Sequence, residues 1–173
     1  WTVSNVYVDL EVDSEYGSVD TSRVTLQIGD EFTLPVPTSI KEGYTFNGWY
    51  DGDNKITGKD GKSLNVCEFQ TTTTLRASYY IEIATIYDFM KLGGQDLSGN
   101  YLVTNDLDFK GMIVNSIGCL SGTFDGGGHT LNNFVLSTEA SLEIYGGLFK
   151  ELWGGLINLR LENVSCTEEY SSG

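Results

Sequence analysis

The chain has 173 residues, 40% hydrophobic, 20% charged and 12% aromatic, a globular composition long enough for one ordinary domain or two small ones. Its 24 acidic against 10 basic residues give a formal charge of -14 with no two adjacent basic positions, which argues against a nucleic-acid partner, since such partners need clustered Lys and Arg against phosphate. No apolar run approaches the roughly 20 residues that cross a bilayer. Cys67, Cys119 and Cys166 lack CxxC spacing, so neither a zinc site nor a disulfide framework is written here. With 21 glycines, two prolines and many Thr, Ser and Asn between short apolar runs, the usage is that of an all-β chain rich in turns, with little helix. No basic-then-apolar leader precedes Trp1, and the chain reads as a piece of something longer.

Residues 3–12 alternate, Val6, Val8, Leu10 and Val12 on one side and Tyr7, Asp9 and Glu11 on the other, which predicts a half-buried strand. Arg23 to Ile28 repeats the pattern with Val24, Leu26 and Ile28, and Gly29-Asp30 supplies a tight turn. Phe32 and Leu34 in EFTLPVP predict a strand that Pro35 and Pro37 confine to an edge. In GYTFNGWYDG, Tyr44, Phe46 and Trp49 or Tyr50 predict a strand broken at Gly48, with a hairpin turn over Asp51 to Asn54. These aromatics have two uses: burial as a core, or exposure as a sugar-stacking face. For the second use, Trp49, Tyr50 and Trp153 are the candidate binding residues. DGDNKITGKDG begins like a calcium loop, but Lys55 stands where a third ligand belongs and no Glu closes it. A short element at Leu64 to Phe69 and a last strand in TTTTLRASYY complete this half.

The order IGDEFTLPVP, GYTFNGWYDGD, TTTTLRASYY resembles the Listeria/Bacteroides repeat, the internalin B-repeat type of module on bacterial surface proteins, with Tyr79-Tyr80 where that family often has Lys-Trp. The resemblance implies a small ubiquitin-like β-grasp domain over residues 1–80.

In IEIATIYDFMKLGGQ, Thr85 is placed to cap a helix, Asp88 sits at the capping-box position, and Gly93 ends the run. Beyond it LVTNDLDF, HTLNNFVL and LINLRLENV align Leu107, Leu131 and Ile157 at a period of about 25 residues, which predicts stacked coils. Asn133 and Asn158, one such period apart, are expected to stack as an asparagine ladder. The helix is expected to cap one end of the stack. The last coil is expected to present a raw edge, covered by further chain past Gly173 or by another chain.

The series IYDFMKL, YLVTNDLDFKG, IGCLSGTFDGGGHTLNNFVL and GGLFKELWGGLINLRLENVS resembles the start of the GLUG-type β-helix region of bacterial surface proteins, also found ahead of the catalytic part of immunoglobulin-A-cleaving metallopeptidases. It implies that residues 81–173 form the first coils of a right-handed parallel β-helix. The expected fold is thus mainly β, a β-grasp-like domain followed by this solenoid and its short capping helix.

Chemistry is sparse. Asp125 and His129 are the only acid and histidine close in sequence, but GTFDGGGHT explains both as a turn: glycines supply positive φ and Asp125 accepts turn amides. Asp106, Asp108 and Glu162 are further carboxylates without a partner base. No GxSxG, HExxH or P-loop lysine is present, so no catalytic residue, metal or cofactor is expected. Together with the resemblances this predicts a non-catalytic, extracellular module of a bacterial surface or secreted protein, acting in adhesion, in binding a host protein or glycan, or as a stalk. The alternative is the accessory region of a surface enzyme, a β-helical polysaccharide lyase or an immunoglobulin-cleaving metallopeptidase, with its catalytic part elsewhere.

Overall fold

The computed structural model describes residues 4–138 and 147–168. The chain divides into two compact units, Trp1–Tyr80 and Ile81–Gly173. Both are mainly β.

In the first unit, β1 (Asn5–Glu11) alternates as its sequence does, burying Val6, Val8 and Leu10 and exposing Tyr7. It pairs antiparallel with β2 (Arg23–Gln27), Asn5 opposite Gln27 through Asp9 opposite Arg23. Next come β3 (Tyr44–Asp51), β4 (Asn54–Lys55) and the long β5 (Thr73–Ile83). β5 runs parallel to β1, Val8 beside Thr73 through Glu11 beside Arg76, and β3 also pairs with β5 and has β4 as a hairpin partner. Leu26, Leu34, Phe46, Trp49, Leu75 and Tyr79 join the β1 side chains in one core.

Three local expectations change. Residues 31–37 form no strand, because two prolines leave too few donors for a ladder; Thr33 makes a single bridge to Lys62, and Leu34 is nevertheless buried. Residues 64–69 form no strand either, and only Cys67 inserts into the core, with Phe69 packed at its margin. β3 runs unbroken through Gly48, where the Thr57 carbonyl lies so close that a Cβ would meet it. Val3, at the start of the first predicted strand, lies outside the described residues.

The second unit opens with the end of β5 and then α1 (Ile86–Met90), the one helix among the described residues. Thr85 accepts the Asp88 N–H while the Asp88 carboxylate accepts the Thr85 N–H, so both halves of the capping box form. Three passes of chain follow. The first is β6 (Asn100–Val103), β7 (Leu107–Asn115) and β8 (Ile117–Leu120). The second is β9 (Thr123–Asp125), β10 (Thr130–Thr138) and β11 (Phe149–Leu152). The third is β12 (Gly155–Ile157) and β13 (Arg160–Glu168). Corresponding strands lie side by side and parallel: β5, β6, β9 and β12; β7, β10 and β13; β8 and β11.

Between the three sheets sits a continuous core of Val103, Leu107, Phe109, Ile117, Leu120, Phe124, Leu131, Phe134 and Leu136. Rings join the layers: Phe109 is 5.2 Å from Phe134, Phe124 is 5.5 Å from Phe149, and Phe89 brings α1 to 5.3 Å from Phe109. Burying each such side chain contributes roughly 1.5–3 kcal/mol. Single truncations here therefore weigh heavily on a fold of ordinary stability.

The repeat is not regular, and this corrects two alignments. Leu107 lies beside Leu131 and Leu131 beside Leu161, the second interval being the longer, so Leu161 takes the place expected of Ile157. Ile157 pairs with Asp125 in a different sheet and is 46% exposed. The additional residues fall in the second pass between Leu136, beside Val114, and Phe149, beside Ile117. A single period read across the chain misses it. The same shift places Asn163, not Asn158, beside Asn133. In the third pass Leu161 and Val164, in register with the fully buried Leu131 and Phe134, are 43% and 39% exposed.

Candidate functional site

Of the three predicted binding rings, Trp49 has no exposed face to offer. Trp49 is fully buried against Phe46 and donates its indole N–H to the Pro35 carbonyl at 2.9 Å. It is a core residue and cannot stack on a ligand. Neighbours on a strand point to opposite faces, so Trp49 and Tyr50 do not share one. The Tyr50 hydroxyl accepts the Asn47 amide at 2.8 Å, and the Lys55 ammonium stands 5.9 Å from its ring, so a cation already lies near that face. Burial raises the Tyr50 pKa. Trp153 belongs to the second unit, where it is 78% exposed just after β11.

The GTFDGGGHT stretch is a corner between β9 and β10. Asp125 accepts the Gly127 N–H at 2.8 Å and the Asn158 amide of the third pass at 3.0 Å. Gly127 and Gly128 hold φ of 60° and 78°, whereas Gly126 has no positive φ and is instead packed under Asn158 and Leu159. His129 faces Asp106 rather than Asp125: its Nδ1 lies 3.3 Å from Asp106 Oδ1, the oxygen that also accepts the Thr130 N–H at 2.8 Å. That backbone hydrogen bond, ahead of the histidine, lowers the Asp106 pKa. The only acid–histidine pair among the described residues is thereby engaged in tying the first pass to the second.

A second corner was not visible as a site in the sequence. At the bend inside β7, β10 and β13, three non-glycine residues adopt the left-handed conformation: Lys110 (φ 52°), Asn133 (φ 58°) and Asn163 (φ 49°). Asparagine tolerates this region better than most residues because its short amide bonds locally. Here each amide reaches one pass back, Asn133 to the Asp108 carboxylate at 2.9 Å and Asn163 to the Asn132 carbonyl at 2.9 Å. The expected ladder is thus a staircase of side-chain bonds in which Asn163 takes the step assigned to Asn158. The Asn133 amide and then the Lys110 N–H lower the Asp108 pKa.

Around this bend lies an open groove of about 500 Å³ lined by Asp108, Lys110, Gly111, Asn133, Val135, Asn163 and Ser165, with Phe134 beneath. Its concavity has a simple origin. Between paired positions β7 carries three residues, Phe109, Lys110 and Gly111, where β10 carries only Asn133, so the first pass bulges here and the second does not. Asx residues at recurring bends (Asp108, Asn132, Asn133, Asn163) were the sequence signal; it lacked the register that brings them together.

Among the described residues no three His, Cys, Asp or Glu side chains converge as metal ligands, and no helix is long and apolar enough to cross a membrane. Comparisons with protein-family models, curated proteins and solved structures return no match.

Proposed function

We propose that the chain is a non-catalytic module of a bacterial cell-surface or secreted protein, in which a β-grasp-like domain of the Listeria/Bacteroides-repeat type precedes the first coils of a right-handed, GLUG-type parallel β-helix. Its role is adhesion, through binding of a protein or glycan, or support as a stalk. The observation that carries this reading is the three-pass stack: strands in parallel register across three sheets, a shared core, and side-chain bonds linking pass to pass at both corners. Such a stack presents a long, ordered surface and uses its polar corner residues to hold the passes together. The parallel pairing of β1 with β5 supports a β-grasp arrangement for the first unit, and the crossover rule supports the right-handed sense for the second. The packing of Phe89 of helix α1 in the core of the stack supports a capping role for that helix.

The test is a paired array of glycans and host extracellular-matrix proteins probed with the purified chain. Saturable retention on either class supports an adhesive role. Silence on both removes binding from the proposal and leaves a stalk.

A further inference from the structure

We infer that the groove at the left-handed bend of β7, β10 and β13 binds a short neutral oligosaccharide. The inference rests on the surface-module reading but goes beyond it, in naming one site and one ligand class.

The groove crosses the three passes rather than following one strand. Parallel strands lie about 4.8 Å apart, so Lys110, Asn133 and Asn163 offer polar groups at regular steps over about 10 Å. Their free valences include both acceptors and donors. Asp108 Oδ1 takes the Asn133 amide and the Lys110 N–H, leaving the second carboxylate oxygen open. The Asn133 and Asn163 amides each spend one N–H on the preceding pass, which leaves the second N–H and the carbonyl oxygen of each to face a ligand. Ser165 adds a hydroxyl, and Lys110 adds the one ammonium, which forms no ion pair among the described residues.

A surface that offers acceptors and donors side by side, with a single cation, suits a ligand whose hydroxyls both donate and accept. Polyanions are disfavoured by Asp108 within the groove and by the net charge of -14. An extended peptide adds to an open strand edge and runs along it, whereas this groove runs across the strands, over a β10 that is paired on both edges. The apolar wall matches the C–H faces of a sugar ring: Val135 lines the groove, and its register partner Ile113 is 58% exposed on the same face.

The experiment is two-dimensional amide NMR of the full chain titrated with cellohexaose, maltohexaose, mannohexaose and xylohexaose, and with a hyaluronan hexasaccharide as the anionic comparator. Expected are saturable shifts for at least one neutral sugar in the Asn133 and Asn163 side-chain amides and the Lys110 and Gly111 backbone. The variant Lys110→Gly/Asn163→Gly keeps the backbone conformation, because glycine accepts positive φ at both sites. It should melt cooperatively and bind about tenfold or more weakly. Three results would each overturn the inference: no neutral hexasaccharide shifts these signals, only hyaluronan shifts them, or the folded double variant binds as well as the parent. Retention on the protein array with no sugar response would overturn the groove while leaving the adhesive role in place.

Discussion

Three consecutive glycines, Gly126, Gly127 and Gly128, separate two penalties that are usually confounded, backbone strain and lack of space. At Gly128, φ is 78° and nothing lies within 4 Å of the position a methyl carbon would take, so Gly128→Ala meets strain alone, about 1–2 kcal/mol. At Gly126 there is no positive φ, but the added carbon would run into the Asn158 carbonyl oxygen and come within 2.6 Å of Leu159 Cα. The obstacle is third-pass backbone, which cannot rotate aside, so Gly126→Ala belongs at the upper end of overpacking costs, about 3 kcal/mol. Gly127 combines a φ of 60° with a collision against the Val103 carbonyl, and its Ala variant should lose about 4–5 kcal/mol. Urea titration followed by far-UV circular dichroism reads the series, and thermal melts should fall by about 4–8 °C per kcal/mol for a domain of about 60–100 residues. Gly128→Asn should recover much of the Gly128→Ala loss, since asparagine visits the left-handed region more readily. Equal losses at all three positions, or the largest loss at Gly128, would refute the claim that the corner is shaped by the neighbouring passes.

Other outcomes follow from the same geometry. Trp49→Ala should cost about 3–5 kcal/mol in urea denaturation, whereas Trp153→Ala, at a largely exposed side chain, should stay within about 0.5 kcal/mol. Thr85→Ala removes one side of the capping box and should cost about 1 kcal/mol, with Thr85→Ser close to neutral in the same melt. Asp88, Asp106 and Asp108 are all held below the ordinary aspartate value, Asp88 first by the Thr85 hydroxyl. Their stabilisation is therefore complete above the unfolded-state pKa and is lost as pH falls through the lower folded-state values. Melting temperature should decline from about pH 5 toward about pH 2, and Asp106→Asn, which keeps an acceptor for Thr130, should make that decline shallower.

Strand alternation was legible wherever one face of a strand meets a core and the other meets solvent. Val6, Val8 and Leu10 in β1, and Phe134 and Leu136 in β10, are buried as their spacing requires, whereas Leu131, three residues before Phe134, shares the core with it because the left-handed bend at Asn133 breaks the alternation. The Thr85–Asp88 box was equally plain, because a cap is satisfied within a single helical turn. Aromatic residues were less informative. Trp49 and Trp153 are the same amino acid with opposite fates, since burial depends on which neighbours the fold brings, and composition is silent on that. Likewise Leu64 and Val66 look like strand residues but are exposed, while Cys67 beside them is not.

The sequence by itself determined the mainly β character, strands β1, β2, β3 and β5, one strand of each pass in the second unit (β7, β10 and β13), the capped helix and the turn at GTFDGGGHT, because each follows from interactions between residues close in the chain. Register was decided only in the tertiary structure. Leu161 lies beside Leu131, Asn163 beside Asn133 and Asp106 beside His129 and Thr130 because parallel strands are hydrogen-bonded between passes that are distant along the chain and unequally spaced. A connection of changed length within one pass shifts every alignment beyond it without altering any local pattern. The groove at the left-handed bend is a product of that register, formed where the first pass bulges and the second does not.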